Sequence, residues 1–317
     1  MLFPWNKGES DLLPYFPFKD DTFKMTMGVQ ALDSGCLIEI DREHYQSELA
    51  LKKELLKDAY HDYFQAMPDT ESLQWEVVEL LLQNMVTHYP QYFTLLKDGN
   101  RWAWRNRLLN EETQFVFGEC ESLPQPPLDW VGRQVQEDLL ILRSTEDGRM
   151  PLVAGQLCFP NAWCLDDKMQ QSFLAIHSNV PLFAQYLGRS ASLLLQRLKV
   201  ERPVWRLNWS IKATARLNHT PYFHYEEQQS AHEITQENIG ERCFLRIERQ
   251  GLARLPGTKA VLFTIHTYQS PLAQVVLTAE IARRMYNVMK TMPEEVFIYK
   301  AISPFADVLL QYLASRC

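Results

Sequence analysis

Glycine is scarce in this sequence, with 12 residues among 317. None of them forms the glycine-rich run of a dinucleotide site or the phosphate loop of a nucleotide-binding protein. These loops need glycine because the backbone must turn sharply and approach the ligand closely. A nucleotide-binding fold is therefore disfavoured, and the sequence also lacks the Gly-x-Ser-x-Gly elbow of serine hydrolases.

Cysteine and long apolar runs are also few. The six cysteines have irregular spacings and form no Cys-x-x-Cys pair, which argues against a disulfide framework and favours reduced thiols. The opening residues MLFPWNKGES lack the apolar core of a signal peptide, and no stretch reaches the roughly 18 apolar residues of a membrane span. We therefore expect a soluble, cytoplasmic protein that has no membrane partner.

Positive charge is in deficit as well, because 32 Lys and Arg face 39 Asp and Glu, for a net charge of -7. Nucleic-acid-binding proteins carry a basic stripe, and no basic run is present here. Nucleic acid is therefore not expected as a partner. What the chain does have is 46% hydrophobic and 22% charged residues, the composition of an ordinary globular protein.

Hydrophobic periodicity predicts helices in the first part of the chain and strand pairs in the middle. The N-terminal 35 residues carry aromatics and prolines and are interpreted as an irregular arm. The predicted elements that follow are helices at 41–65 and 72–90, a short strand at 113–119, a proline-rich linker at 122–131, a hairpin of 138–143 with 151–159, and a helix start after Pro160.

The second half continues with a helix and a longer hairpin. The predicted elements are a helix at 182–198, a strand at 204–213, a long loop at 219–235, a hairpin across 243–272 and helices across 277–315. Strands joined by hairpins form an antiparallel sheet, so the predicted class is α+β. We expect one domain over residues 1–317, with helical extensions at both ends.

His177 stands in LAIHSNVP, residues 174–181, between an apolar triplet and a turn. One interpretation is a hydrogen-bonded core histidine. The other is an iron ligand, because a neutral imidazole nitrogen binds haem iron and apolar neighbours exclude water. The spacing alone leaves both interpretations open.

Three arginines, Arg246, Arg249 and Arg254, lie in the predicted hairpin. A guanidinium binds a carboxylate or phosphate through paired hydrogen bonds, so an acidic group of a cofactor is one possible partner. Ion pairing with Glu248 or a similar residue is the alternative for each of them.

Several segments together resemble the haem-dependent oxidative N-demethylase family, and the likeness runs from about residue 1 to 310. They are VQEDLLILR (135–143), CFPNAWCLDDKMQQSFLAIHSNVP (158–181), LRIERQGLARLPGTKAVLFTIHTYQSPL (245–272), the aromatic N-terminal arm and its FPF segment (16–18). The resemblance implies a PAS-like core, an antiparallel sheet wrapped by helices, that binds haem b. It also implies oxidative N-demethylation of a small alkylamine by molecular oxygen, with release of formaldehyde. Separate flavin and iron–sulfur subunits would then supply the electrons.

By the same resemblance His177 is the axial ligand of the haem iron, and His266 is its main rival. Arg246, Arg249 and Arg254 are then candidates for the cofactor, and His224 or Arg249 for a catalytic role. The aromatic candidates for binding an alkylammonium are Trp163, Trp205, Trp209, Tyr222 and Tyr268. Two other functions stay open: a haem sensor or oxygen-binding protein without turnover, and a haem-free domain that binds a small molecule.

Overall fold

The computed structural model describes residues 13–317, so the first 12 residues of the predicted arm lie outside the described part. Ten strands are found in these residues. They are β1 (Gln30–Ala31), β2 (Phe64–Ala66), β3 (Phe93–Asp98), β4 (Arg101–Asn106), β5 (Glu111–Val116), β6 (Asp138–Leu142), β7 (Leu152–Gln156), β8 (Val204–Lys212), β9 (Phe244–Arg254) and β10 (Val261–Pro271).

Thirteen α-helices occupy much of the rest of residues 13–317. They are α1 (Tyr45–Asp58), α2 (Tyr60–Tyr63), α3 (Glu71–His88), α4 (Pro127–Gly132), α5 (Phe173–Ile176), α6 (Phe183–Tyr186), α7 (Gly188–Arg197), α8 (His224–His232), α9 (Ile239–Arg242), α10 (Leu272–Val275), α11 (Ala279–Thr291), α12 (Glu294–Tyr299) and α13 (Ala306–Arg316). No helix among the described residues has the length and apolarity needed to cross a bilayer.

The central element is a seven-stranded antiparallel sheet in the order β1-β8-β9-β10-β6-β7-β2. Its longest strands are β9 and β10, which pair over their whole length from Val261 opposite Arg254 to Pro271 opposite Phe244. The strands β3, β4 and β5 form a separate three-stranded sheet. Mixed helices and antiparallel sheets confirm the predicted α+β class.

The two faces of the central sheet are covered by different helices. One face packs against α1, α3 and the small sheet through a large apolar cluster that contains Leu49, Val78 and Leu262. The same face packs against α11 to α13 through a second apolar cluster around Leu245. The opposite face carries Leu140, Leu152 and Leu252, which pack with residues of α7. The segment that holds α5 to α7 therefore covers the opposite face.

Most predicted elements are confirmed, including the helix at 72–90, the strand at 204–213, both hairpins and the C-terminal helices. The prediction of a linker at 122–131 was wrong in part, because α4 begins at Pro127. Proline is tolerated in the first helical turn, where its missing N–H has no intrahelical partner. The six residues of α4 are all buried.

Two further predictions were wrong for local reasons. The stretch 219–235 was expected to be a loop but contains α8, which was missed because it has no apolar stripe. Glu226 and Glu227 lie in its first turn and His232 lies in its last turn. The helix dipole favours acidic residues at the first turn and basic residues at the last turn. No helix forms between Asn161 and Gln171, where one was expected directly after Pro160, because Ala162 and Gln170 adopt positive φ values of 63° and 64° that a right-handed helix cannot contain.

Candidate functional site

A cavity of about 750 Å³ lies between the central sheet and the segment that contains α5 to α7. This volume is within the range of small-molecule and cofactor sites. The strands β6 to β10 supply one wall, α5 to α7 supply the opposite wall, and the segment from Pro17 to Gln30 closes the edge beside β8. Residues from distant parts of the chain therefore meet in one site.

The sheet wall of this cavity changes from apolar to polar across the strands. Alternate residues of a strand point to the same face, and the registers align Leu140 of β6 with Phe263 of β10, and Phe263 with Leu252 of β9. On the other side, Arg206 and Asn208 of β8 stand opposite Gln250 and Glu248 of β9. Ligands with one apolar edge and one charged edge fit such a wall.

His177 lines this cavity from the helical side. It is the C-cap residue that directly follows α5, and Ser172 is the N-cap of this helix: the Ser172 hydroxyl accepts a 3.3 Å hydrogen bond from the Ala175 N–H. The imidazole stacks on Phe183, with 4.6 Å between ring centroids and 16° between ring planes. Phe183 and the short helix together hold the ring in place.

The hydrogen bonding of His177 defines its free nitrogen. Its Nδ1 lies 2.8 Å from the Phe173 carbonyl oxygen, which can only accept, so Nδ1 carries the proton and Nε2 keeps its lone pair. Burial lowers the pKa of His177, although the bond to Phe173 opposes this change, and the nearby charge of Arg206 lowers it further. The ring is therefore neutral near pH 7 and presents a ligand nitrogen.

These features fit a haem. A metal-binding histidine donates its second ring N–H to a carbonyl or carboxylate, which fixes the tautomer, and His177 does so. A porphyrin supplies four ligands of its iron, so one protein nitrogen completes a proximal site. Within residues 13–317 no group of three His, Cys, Asp or Glu side chains is placed to hold a metal ion by itself.

Arg206 is a site residue that the sequence analysis missed. It lines the cavity from β8, its Nε is buried, and its guanidinium has no hydrogen-bond or ion-pair partner among the described residues. Burial lowers the pKa of this guanidinium, and Glu248 opposes the change; arginine nevertheless stays charged. In the sequence Arg206 is one polar residue in an alternating strand, and nothing distinguishes it from a solvent-exposed arginine.

Two other charged side chains share the polar end of the cavity. Glu248 accepts hydrogen bonds from Asn208 Nδ2 at 3.2 Å and Gln250 Nε2 at 2.9 Å. Lys300, next to the end of α12, donates to the Trp209 carbonyl at 2.6 Å, and burial lowers the pKa of its amine to about 8. Arg206 and Lys300 thus face a single buried carboxylate.

Arg246 lies on the same sheet face but beyond the cavity. Its side chain is completely buried and donates to the Leu217 carbonyl at 2.8 Å and to the Thr267 hydroxyl at 3.1 Å. Its Nε is 3.5 Å from Glu248 Oε1. Arg246 therefore joins strands and loops, and the ion pair with Glu248 that the sequence offered as an alternative is present.

Arg249 and Arg254 are also outside the set of cavity-lining residues. Arg249 projects from the opposite sheet face, where it pairs with Glu39 at 3.1 Å and donates to the carbonyls of Leu37 and Cys36. Arg254 donates to the Leu198 carbonyl at 2.6 Å and to the Leu195 carbonyl. Arg254 thus satisfies carbonyl groups at the end of α7 and holds that helix over the sheet.

The other histidine candidates are far from this arrangement. His266 is buried on the opposite face, with Nδ1 3.0 Å from Glu137 Oε1 and its ring stacked on Tyr268 at 4.3 Å. His224 is exposed at the start of α8, and its Nε2 lies 2.9 Å from Gln228 Nε2. Neither lines the cavity.

The aromatic candidates divide in the same way. Trp163 and Trp209 line the cavity. Trp205 packs against Tyr15 at 5.4 Å, and the Tyr268 hydroxyl donates to Glu39 at 2.7 Å, both away from the cavity. Tyr222 is 58% exposed.

The comparison with known families covers the part of the chain that forms this cavity. Residues 28–310 match the family described as haem-dependent oxidative N-demethylase, alpha subunit-like. The match includes every strand that borders the cavity from β6 to β10, the helices α5 to α7, and both His177 and Arg206. Because the match covers most of the sequence, the chain belongs to the haem-dependent oxidative N-demethylase alpha subunit-like family.

Proposed function

We propose that this protein binds one haem b in the cavity, with His177 Nε2 as the axial ligand of the iron. The observation that carries the proposal is the orientation of His177: Nδ1 is bound to the Phe173 carbonyl and Nε2 is free on a residue that lines the cavity. The family description, which names haem, supports it. In this proposal the central sheet and α5 to α7 form the PAS-like core that the sequence resemblance implied.

The reaction proposed is the oxidative N-demethylation of a small alkylamine, as the family description suggests. Bound haem supplies the oxygen-activating, one-electron chemistry that this reaction requires. One methylamine, one dioxygen, two electrons and two protons give the shortened amine, formaldehyde and water. The family is described as alpha subunit-like, and we propose that separate flavin and iron–sulfur subunits deliver the two electrons.

The chain's own residues hold the macrocycle and keep water away from the reaction. Leu140, Phe263 and Leu252 on the sheet, with Ile176 and Leu195 on the helical side, provide an apolar enclosure. Such an enclosure strengthens electrostatic interactions and prevents unproductive side reactions with water. His177 holds the iron, and Phe183 and the Phe173 carbonyl hold His177.

The first test is the visible spectrum of the purified protein reconstituted with haem. The wild type should show a Soret band that shifts after reduction and addition of carbon monoxide. His177→Ala should lose the band because the iron loses its protein ligand, and added imidazole should restore it by occupying the space left by the side chain. A His177→Ala protein with an unchanged Soret band would contradict the assignment.

The matched control is His224→Ala. His224 is exposed and lies outside the cavity, so this variant should keep the wild-type spectrum. Formaldehyde measured after addition of a methylamine, oxygen and a reductant then tests the activity. A haem protein that binds carbon monoxide but yields no formaldehyde from any small methylamine would be a sensor or oxygen-binding protein instead.

A further inference from the structure

We propose that Arg206, assisted by Lys300, binds the propionate carboxylates of the haem and so orients the macrocycle with its acidic edge toward β8. This inference rests on the proposed function, because it assumes that a haem occupies the cavity. It concerns two residues whose role nothing in the sequence indicates.

Arg206 differs from the three arginines of the β9–β10 hairpin in its hydrogen bonding. Arg246, Arg249 and Arg254 each donate several hydrogen bonds to backbone carbonyls. Arg206 has no such partner among the described residues, and its Nε is shielded from solvent. A buried donor without a partner costs free energy, so a fold that retains one at a cavity wall has a donor available for a ligand.

The charges at this end of the cavity do not balance. Arg206 and Lys300 carry two positive charges, and Glu248 is the buried carboxylate that faces them. The other carboxylates among the described lining residues, Asp20 and Asp167, are exposed. Glu248 is also shared with Asn208, Gln250 and Arg246. Positive charge is therefore in excess where the ligand would meet the wall.

The positive charge and the apolar wall lie at different sides of the cavity. The polar pair lies over β8 and beside α12, whereas Leu140, Phe263 and Leu252 cover the wall from β6 to β9. Haem is apolar around most of its edge and carries both carboxylates on one side. A guanidinium binds a carboxylate through two parallel hydrogen bonds, and Lys300 has donors left after its bond to Trp209.

Metal-free protoporphyrin IX separates this site from the iron ligand, because it keeps both carboxylates and has no iron. Its binding to the full chain without haem can be followed by porphyrin fluorescence. Arg206→Ala should weaken this binding on the order of tenfold to a hundredfold, as expected for a lost charged hydrogen bond. His177→Ala should bind metal-free protoporphyrin IX like the wild type, although it loses haem.

Protoporphyrin IX dimethyl ester provides a test that needs no variant. The wild type should bind the ester more weakly than the free acid by a similar factor, and Arg206→Ala should cause little further loss with the ester. Arg206→Lys, which keeps the charge but not the fork, should lie between the wild type and Arg206→Ala. Arg189→Ala is the control, because Arg189 is exposed on α7 and does not line the cavity.

The outcomes separate the two proposals. A wild type that binds haem while Arg206→Ala retains full affinity for metal-free protoporphyrin IX would overturn the inference and leave the function intact. Equal weakening of the acid and the ester by Arg206→Ala would overturn it too, because the loss would then not involve the carboxylates. A wild type that binds neither haem nor porphyrin would overturn the proposed function itself.

Discussion

At the scale of single residues, the sheet face away from the cavity carries a buried ion pair, and both of its members are shielded from solvent. His266 and Glu137 are both completely buried and lie 3.0 Å apart. The Glu39 N–H also donates to Glu137 at 2.8 Å. Breaking such a pair leaves an uncompensated charge in the core, so we expect a role in stability and none in haem binding.

The pH dependence follows from two opposite pKa changes. Burial alone would lower the pKa of His266, but the charge and hydrogen bond of Glu137 raise it above 6.5. Burial alone would raise the pKa of Glu137, but His266 lowers it below 4.5. The raised pKa of His266 stabilises the folded state fully below pH 6.5, and this contribution is lost as pH rises through the folded-state value. The lowered pKa of Glu137 stabilises it fully above pH 4.5, and that contribution is lost as pH falls.

Glu137→Gln should therefore reduce the free energy of unfolding most between these two values, by about 3–5 kcal/mol. The difference from the wild type should shrink as the pH rises through the raised pKa of His266, because the imidazole then loses its proton in the folded state. Denaturant unfolding at a series of pH values from about 5.5 upward measures this change. Glu119→Gln, at an exposed position, is the control and should be near neutral throughout the series. A loss that does not change with pH across the series would show that the pair is not ionised.

At the scale of elements, the segment over the cavity consists of short helices. α5 and α6 have four residues each, so few backbone hydrogen bonds hold either of them. Short helices of this kind are marginal without tertiary contacts or caps. The position of His177, which directly follows α5, therefore depends on the Ser172 cap and on packing against Phe183.

Ser172→Ala should weaken haem binding about fivefold, because loss of an N-cap costs about 1 kcal/mol and this helix carries the proposed ligand. Thr278→Ala is the matched control. The Thr278 hydroxyl caps α11 by accepting a hydrogen bond of the same 3.3 Å length from the Ile281 N–H, but α11 carries no proposed ligand. The control should lower the thermal midpoint and leave the haem affinity of the protein unchanged. Equal haem affinities for Ser172→Ala and the wild type would show that the cap does not position His177.

At the scale of the whole molecule, the central sheet is shared by every layer. The helices of the first 100 residues and the C-terminal helices pack on one face through two apolar clusters, and α7 packs on the other. We propose that residues 13–317, the part of the chain that the structure describes, form one domain, in line with the single domain expected from the sequence. A shared sheet couples the layers, because none of them buries its apolar face without it.

One domain predicts one cooperative unfolding transition. Trp75, Trp104 and Trp130 lie in the layer of the first 130 residues, and Trp205 and Trp209 lie on β8, so tryptophan fluorescence reports on both regions. Its denaturation curve should coincide with that of far-ultraviolet circular dichroism. Two separated transitions would instead indicate that the N-terminal layer and the sheet unfold independently.

Some of the elements and site residues could be predicted from the sequence, and others could not. The hairpins, α3 and β8 were predicted because their apolar spacing repeats with the period of a strand or helix. α8 and α4 were missed because the first lacks an apolar stripe and the second begins with prolines, so charge placement and burial determine them. His177 was named as a candidate from its apolar neighbours and the family resemblance, and its role as a ligand stays a prediction.

The sequence by itself determined the α+β class, the antiparallel pairing of β9 with β10 and the family, because these depend on local periodicity and on motifs along the chain. Only the tertiary structure decided which charged residues face the cavity. Arg206, Arg246, Arg249 and Arg254 all lie on paired strands, yet three of them satisfy carbonyl groups, whereas Arg206 at the cavity wall has no partner within residues 13–317. That difference depends on which loops and helices pack over each strand, and those contacts join residues far apart in the chain.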